Sequence, residues 1–349
     1  MRLEDEGATS PPLQEDEERS AFVKLDPSTF FIRHPPPPHE LGPSITDDEF
    51  LFQTIHMGAA IVDESRYRIS ITGLVDNPYS LTLTQLHALP STTITAFHEC
   101  YGSPLVPPTK ALRRIGNVTW TGVPLHVLLV YARPKVSGTY VWSSGLDHGT
   151  FAGVEADRYQ KDLTLAKALG PEVLVAYAMN GQPLSKNRGG PVRLVVPGWF
   201  GTNSTKWLCK LEVQDRRAEG PFTTTFYNEQ YPPDDPTNPY KPVYGVQPNS
   251  MISSPEPEAE VVGAEVVVEG WAWSEDGVTT VDVSVDEGES WVDAKVEDRS
   301  ELSWQRFRAK LELAKGRFVV LARAEGADGR VQPLGEGRNH VHRVAFEVV

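Results

Sequence analysis

Two cysteines, Cys100 and Cys209, are the only thiols among 349 residues, too few for a disulfide framework or a four-thiolate zinc site. Cys100 closes the β-rich run TTITAFHEC and is followed by Tyr101 and Gly102, so its thiol falls where the chain leaves a sheet, a place where folds put reactive groups. Strand alternation sets Cys100 on the face of His98 and opposite Glu99. Residue types leave two readings open, a reactive soft sulfur and a small buried hydrophobe, and no base-orienting partner in sequence supports a His–Cys nucleophile pair. Cys209 lies in KWLCKLEV, where Trp207, Cys209, Leu211 and Val213 share one face and Lys206, Leu208, Lys210 and Glu212 the other, and it reads as core.

A second concentration is RGGPVRLVVPGWFGTNSTKW, with Arg188, Arg193 and Lys206 around a Gly-rich turn and a loop of small polar residues. Such a segment can cradle a phosphate through main-chain N–H groups and side-chain charge; a solvated basic loop fits the spacing equally well. Arg33 in FFIRHP and Arg343 in VHRVAFEVV are lone arginines near apolar strands and carry no meaning by themselves. The chain shows no Gly-rich phosphate loop after a strand, no nucleophile elbow and no paired-histidine zinc helix.

The elements that must position these groups fall into two parts. From Tyr67 to about Val213, β-branched runs (YRISITGLV, TTITAFHEC, GTYVWSSG, GGPVRLVVPG, TKWLCKLEV) alternate with helical stretches (LTLTQLHAL, VPLHVLLVYA, LTLAKAL), which predicts an α+β domain over residues 25–226. The segment 227–248, dense in Pro, Asp, Asn and Tyr, predicts a linker packed over a surface. Residues 249–349 hold closely spaced strands and no convincing helix, predicting an all-β sandwich of immunoglobulin size with Trp271, Trp273, Trp291 and Trp304 as aromatic core. Residues 1–24 are charged and poor in aromatics and predict a mobile acidic arm.

With 40% hydrophobic residues the chain has enough for two cores. A net charge of -14 without clustered Lys and Arg argues against nucleic acid. No apolar run reaches membrane-spanning length and the first residues are acidic rather than signal-like, so the expectation is a cytoplasmic protein without a membrane partner.

In order, these pieces resemble the sulfite oxidase family from about Phe30 to the C-terminus, most specifically in AYAMNGQPL with GGPVRLVVPGWFGTNSTKWL, in GNVTWTGVPL, and in EGWAWS with DEGESW. The resemblance implies a molybdopterin-binding α+β domain followed by an immunoglobulin-like domain through which members dimerise. Carried over residue by residue, it makes Cys100 the protein's ligand to molybdenum beside the pterin dithiolene; soft sulfur suits that metal. It places pterin contacts at Phe31, Ile32, Arg33, His34, Asp147, Arg188, Arg193, Ser204, Thr205 and Lys206, the basic ones toward the cofactor phosphate. Tyr159 matches the tyrosine beside the metal's exchangeable oxygen, and Arg33 and Arg343 match arginines that hold an anionic substrate.

The implied activity is oxygen-atom transfer on a small anionic or polar substrate, with electrons passed to a separate acceptor, since no haem or flavin domain fits the remaining length. The motif also departs from the family. Where sulfite oxidases run Ala or Ser, Gly, Asn, Arg after the cysteine, this chain runs Tyr101, Gly102, Ser103, Pro104, so one anion-binding arginine is missing. The family's basic-loop histidine is Arg188 here, and Pro35 stands where a histidine follows Arg33, with His34 adjacent. The alternatives are a non-catalytic cofactor-binding or dimerising scaffold and a nitrate-reductase-like molybdenum domain; a zinc or cysteine hydrolase ranks behind both, because no base accompanies Cys100 in sequence.

Overall fold

The computed structural model describes residues 2–14, 17–106, 111–230, 237 and 239–349. The β-branched runs of the first part form two sheets. One has the spatial order Gln160–Thr164, Tyr140–Gly145, Leu208–Gln214, Arg68–Gly73, Tyr79–Thr82, with Leu208–Gln214 parallel to Arg68–Gly73 and the other pairs antiparallel. The other runs Gln182–Pro183, Leu174–Met179, Ile115–Pro124, Thr92–Glu99, and Arg193–Val195 also pairs with Leu174–Met179. Between them lies an aliphatic core with Ile69, Ile71, Leu211 and Val213 from the first sheet and Val123, Val175 and Leu194 from the second. Helix Leu125–Ala132 buries Leu125, Leu128, Leu129 and Ala132, the spacing of one helical face. Helix Leu83–His87 starts from a capping box between Thr82 and Gln85, which satisfies two otherwise orphaned backbone donors.

The second part is the expected sandwich. Asn249–Ser254, Glu265–Trp273, Gln305–Glu312 and Lys295–Val296 make one sheet, and Glu260–Val261, His342–Val348, Gly316–Gly326, Val278–Ser284 and Val292–Asp293 the other. Strand Gln305–Glu312 alternates without exception, Phe307, Ala309 and Leu311 inward and Arg306, Arg308 and Lys310 outward, as a half-buried strand requires.

Three expectations need correction. The acidic arm is not free along its described residues: Leu3, Ala8 and Ala21 are buried, Ser10 bridges Ser80, and Phe22–Leu25 pairs with Ala60–Val62. Its acid is used locally, since buried Glu18 meets Lys210 at 2.7 Å and Arg158 at 3.5 Å. Few apolar residues suffice because sheet hydrogen bonds and ion pairs supply the rest. Leu208 is as buried as Cys209, because a register shift between Leu208 and Lys210 breaks the alternation; Leu208 joins the main core, and Trp207 and Cys209 a second cluster. Finally, the tryptophans do not fill the sandwich. Trp271, Trp273 and Trp304 sit in a cluster shared with Leu41, Phe97, Ile115 and Phe200 of the first part, and Trp291 lies at the surface side, under the Arg323 guanidinium at 4.0 Å.

That cluster is the seam between the domains. Trp271 and Trp304 stack at 4.6 Å, and their indole N–H groups donate to Leu41 O at 2.9 Å and Ser44 O at 3.0 Å. Trp304→Ala removes a fully buried ring and is expected to cost about 3–5 kcal/mol in urea unfolding; no change in midpoint would place the seam's energy elsewhere. A second expectation concerns pH. Burial, aided by Arg113 and His340, holds His342 at about 3, and its Nδ1 accepts the Ile252 N–H at 3.0 Å. The unfolded chain therefore binds a proton the folded one does not between about 6.5 and 3, so stability falls as pH drops through that window. His342→Asn should flatten that part of the melting-temperature profile.

Candidate functional site

The strand Thr92–Glu99 ends at a cleft enclosing roughly 690 Å³ of non-atom space, the open solvent at its mouth included. The Cys100 N–H donates to Arg114 O at 2.9 Å, adding a rung to the ladder in which Glu99 pairs with Ile115. Alternation then divides the strand end as the sequence predicts. His98 and Cys100 line the cleft, while Glu99 turns to the second domain and accepts from Trp273 Nε1 at 2.8 Å and Asn249 Nδ2 at 3.2 Å. Burial pushes the Glu99 carboxyl up to about 7 against the pull of Arg113 and those two donors.

The Cys100 thiol accepts the Gly102 N–H at 3.4 Å and lies 3.7 Å from Thr54 Oγ1. His98 is no base for it. Its ring stacks on Phe52 at 5.5 Å, no hydrogen bond joins it to Cys100 among the described residues, and burial, then Arg193, Lys206 and Arg188, keep it well below the usual histidine range. Nor do other His, Cys, Asp or Glu side chains gather into a metal-holding group among the described residues. A metal held here would take its remaining ligands from a cofactor.

Deeper in the cleft the charge is positive. Arg188 donates to Asp48 Oδ1 at 2.5 Å and to the carbonyls of Phe52 at 2.7 Å and Leu51 at 2.9 Å. Arg193 donates to Arg188 O at 3.0 Å and Ser204 O at 3.1 Å, and Lys206 Nζ to Thr54 O at 2.9 Å and Asn187 O at 3.3 Å. Burial, then their mutual repulsion, lowers Arg193 to about 9 and Lys206 well below the usual lysine range. The acids nearby are Asp48 and Asp147; burial pushes Asp147 up to about 7, and its Oδ1, like Asn187 Oδ1, is buried without a partner. Three desolvated cations with one ion pair call for an anion, and orphaned oxygens call for N–H donors. A phosphate-bearing pterin supplies both, so the residues present fit that group.

Of the sequence-predicted residues, Cys100, Asp147, Tyr159, Arg188, Arg193, Ser204 and Lys206 converge on this cleft. Thr205 turns away, its Oγ1 2.7 Å from Ser143 Oγ. Strand Phe31–Arg33 pairs with Gln53–Ile55, whose residues line the cleft, so Phe31, Ile32, Arg33 and the exposed His34 stand beside that wall; Arg33 donates to the Asp48 and Leu51 carbonyls. Arg343 does not reach the site. It lies on the sandwich strand His342–Val348, paired with Glu287 at 3.1 Å, because strand alternation turns it outward.

Sequence reasoning missed His56, Thr202 and Tyr227, which also line the cleft. Tyr159 donates its hydroxyl to Thr202 O at 2.7 Å, and Tyr227 Oη lies 2.5 Å from His56 Nε2. Burial, then Lys206, holds His56 at about 3, and burial raises both tyrosines above their usual range. Thr202 lies in the small-polar loop singled out in the sequence, Tyr227 opened a segment read as linker, and no local pattern marks His56. The sandwich contributes Arg338, whose guanidinium lies 3.6 Å over the Tyr101 ring, donates to Tyr101 O and Ser103 O and meets Glu229 at 3.1 Å.

Gly189 sets the cationic wall. Its φ is +95°, and a Cβ there would lie 2.6 Å from Lys206 Cβ. Gly189→Ala is expected to cost about 1–3 kcal/mol in denaturant unfolding and to displace Lys206; an unchanged midpoint would show that the loop yields freely.

The family model for the oxidoreductase molybdopterin binding domain matches residues 56–222, and that for the Mo-co oxidoreductase dimerisation domain matches residues 241–345. Sulfite oxidase of Gallus gallus is 30% identical over 318 residues, covering 84% of this chain and 68% of that protein. Sulfite oxidase of Arabidopsis thaliana is 29% identical over 353 residues, covering 90% and 89%. Among solved structures, the sulfane dehydrogenase SoxCD from Paracoccus pantotrophus superposes with a TM-score of 0.79 at 27% identity, covering 97% of this chain and 91% of that one.

Proposed function

The chain belongs to the sulfite oxidase family of molybdenum-cofactor oxidoreductases, and we propose that it transfers an oxygen atom to or from a small anionic compound beside Cys100, with electrons leaving to a separate acceptor. The observation that carries this reading is one soft thiol at a strand end, in a cleft with three buried cations that share a single ion pair. When bound, the molybdenum cofactor supplies two-electron oxygen-atom chemistry.

In this reading Cys100 is the protein's metal ligand, with the Gly102 N–H steadying its sulfur. Arg188, Arg193 and Lys206 take the phosphate charge, and Ser204 contributes through its carbonyl, which holds Arg193 in place. Asp147 offers its unpartnered oxygen to a ring N–H. The hydroxyls of Tyr159 and Tyr227 both lie close enough to feel the charge of Cys100, so they can orient a reacting oxygen or hold a proton. Thr202 fixes the first and His56 the second. Water is kept out on this side by Phe151, Phe222 and Phe226, which pack around His56 and Tyr159. The C-terminal sandwich serves as the homodimer interface in this reading, supported by its match to the dimerisation domain.

The test is the metal content of protein from a cofactor-producing host, together with sulfite-dependent reduction of an artificial acceptor. Wild type is expected to hold about one molybdenum per chain, the single-site stoichiometry of one thiolate ligand. Cys100→Ser should lower turnover by at least the roughly 10–100-fold that loss of even an outer-sphere partner costs. Wild type that binds neither molybdenum nor pterin would sink the redox reading in favour of a scaffold.

A further inference from the structure

Most arginines near the cleft are already committed. Arg188 is held by Asp48 and three carbonyls, and Arg33 by the Asp48 and Leu51 carbonyls. Arg338 is taken by Tyr101, Ser103 and Glu229, and buried Arg113 donates to Arg338 O at 2.8 Å and His340 O at 2.5 Å. Arg114 differs. Among the described residues no ion pair or side-chain hydrogen bond engages its guanidinium, and its Nε is buried without a partner.

The backbone places this cation with intent that chain distance hides. Because the Cys100 N–H donates to Arg114 O at 2.9 Å, the two residues face each other across the ladder, and the Arg114 N–H is fixed in turn by Ser103 Oγ at 2.8 Å. A Cβ built on Gly102 would collide with Arg114 Nη1 while standing 3.6 Å from Cys100 Sγ. The lack of a Cβ at 102 therefore lets the guanidinium pack directly on that backbone, next to the thiol. Tyr227 feels the charge of both Cys100 and Arg114.

We infer that Arg114 is the substrate-anion arginine of this site, delivered across the β-ladder in place of the arginine absent at Pro104, and that the substrate presents a small oxyanion to it. The inference rests on the oxidoreductase reading above for what happens to that substrate, but not for the binding itself. One uncommitted guanidinium offers a planar pair of N–H donors, which matches two oxygens of one oxyanion group.

Sulfate, which mimics the oxyanion and does not turn over, is the probe. Its binding to holoenzyme is measured by isothermal titration calorimetry for wild type, Arg114→Gln, Arg114→Lys and Gly102→Ala, with molybdenum content and melting temperature recorded for each. Arg114→Gln is expected to weaken sulfate roughly 10–100-fold, the worth of a charge-assisted pair, while Arg114→Lys recovers part of the loss. Gly102→Ala, which keeps every charge, should weaken it as well by pushing the guanidinium away from the thiol. Sulfate binding that is absent in wild type, or equal in wild type and Arg114→Gln, overturns the inference, and so does weakening in Arg114→Gln with no effect of Gly102→Ala. Wild type without molybdenum that still binds sulfate through Arg114 would discard the redox reading and retain the anion site.

Discussion

Glu99 alternates with His98 and Cys100 on a strand whose other side is the cleft, so its carboxylate is driven into the protein rather than into water. A buried carboxylate without donors is costly, and the donors come from the sandwich, through Trp273 and Asn249. The strand end that carries the thiol is thereby tied to a domain that begins about 150 residues later. From this tie follow the stacked Trp271 and Trp304 over Leu41 and Ser44, and Arg338 folded across the Tyr101–Ser103 turn. The second domain braces the turn that follows Cys100.

The other organising constraint is charge. Arg188, Arg193 and Lys206 repel one another in a desolvated wall, and their donors go mostly to carbonyl oxygens rather than to carboxylates. Main-chain oxygens can hold a cation in place while leaving its charge uncompensated, which is what a wall awaiting an anionic ligand requires. Asp147 does not cancel that charge, because burial pushes its carboxyl up to about 7.

Sequence reading reached the parts that periodicity and motif govern. The two-part architecture, the sandwich alternation in Gln305–Glu312 and the face shared by His98 and Cys100 follow from local pattern, as do the basic residues around Gly189. It failed where partners are remote in the chain. Nothing local shows that Tyr227 enters the cleft, that Arg338 covers Tyr101, or that Arg343 instead meets Glu287. The N-terminal residues look unstructured by composition, yet a handful of small apolar side chains, a strand pairing and the buried Glu18 pairs hold them. Arg114 is the sharpest case: scanning the residues after Cys100 does not reach it, because only backbone pairing sets it opposite the cysteine.

The tryptophan seam also bears on how such a protein can be recombined. By topology the chain is two interchangeable cassettes, but the aromatic surface that a detached sandwich would show is finished only by Leu41, Ser44 and Phe97 of the other cassette. Its indole N–H groups would lose their acceptors, and Glu99 its donors, at the same cut. Exchange of the sandwich between relatives is therefore constrained at a few matched positions on both sides, so drift at the seam must be concerted even while the outer faces of both domains vary independently.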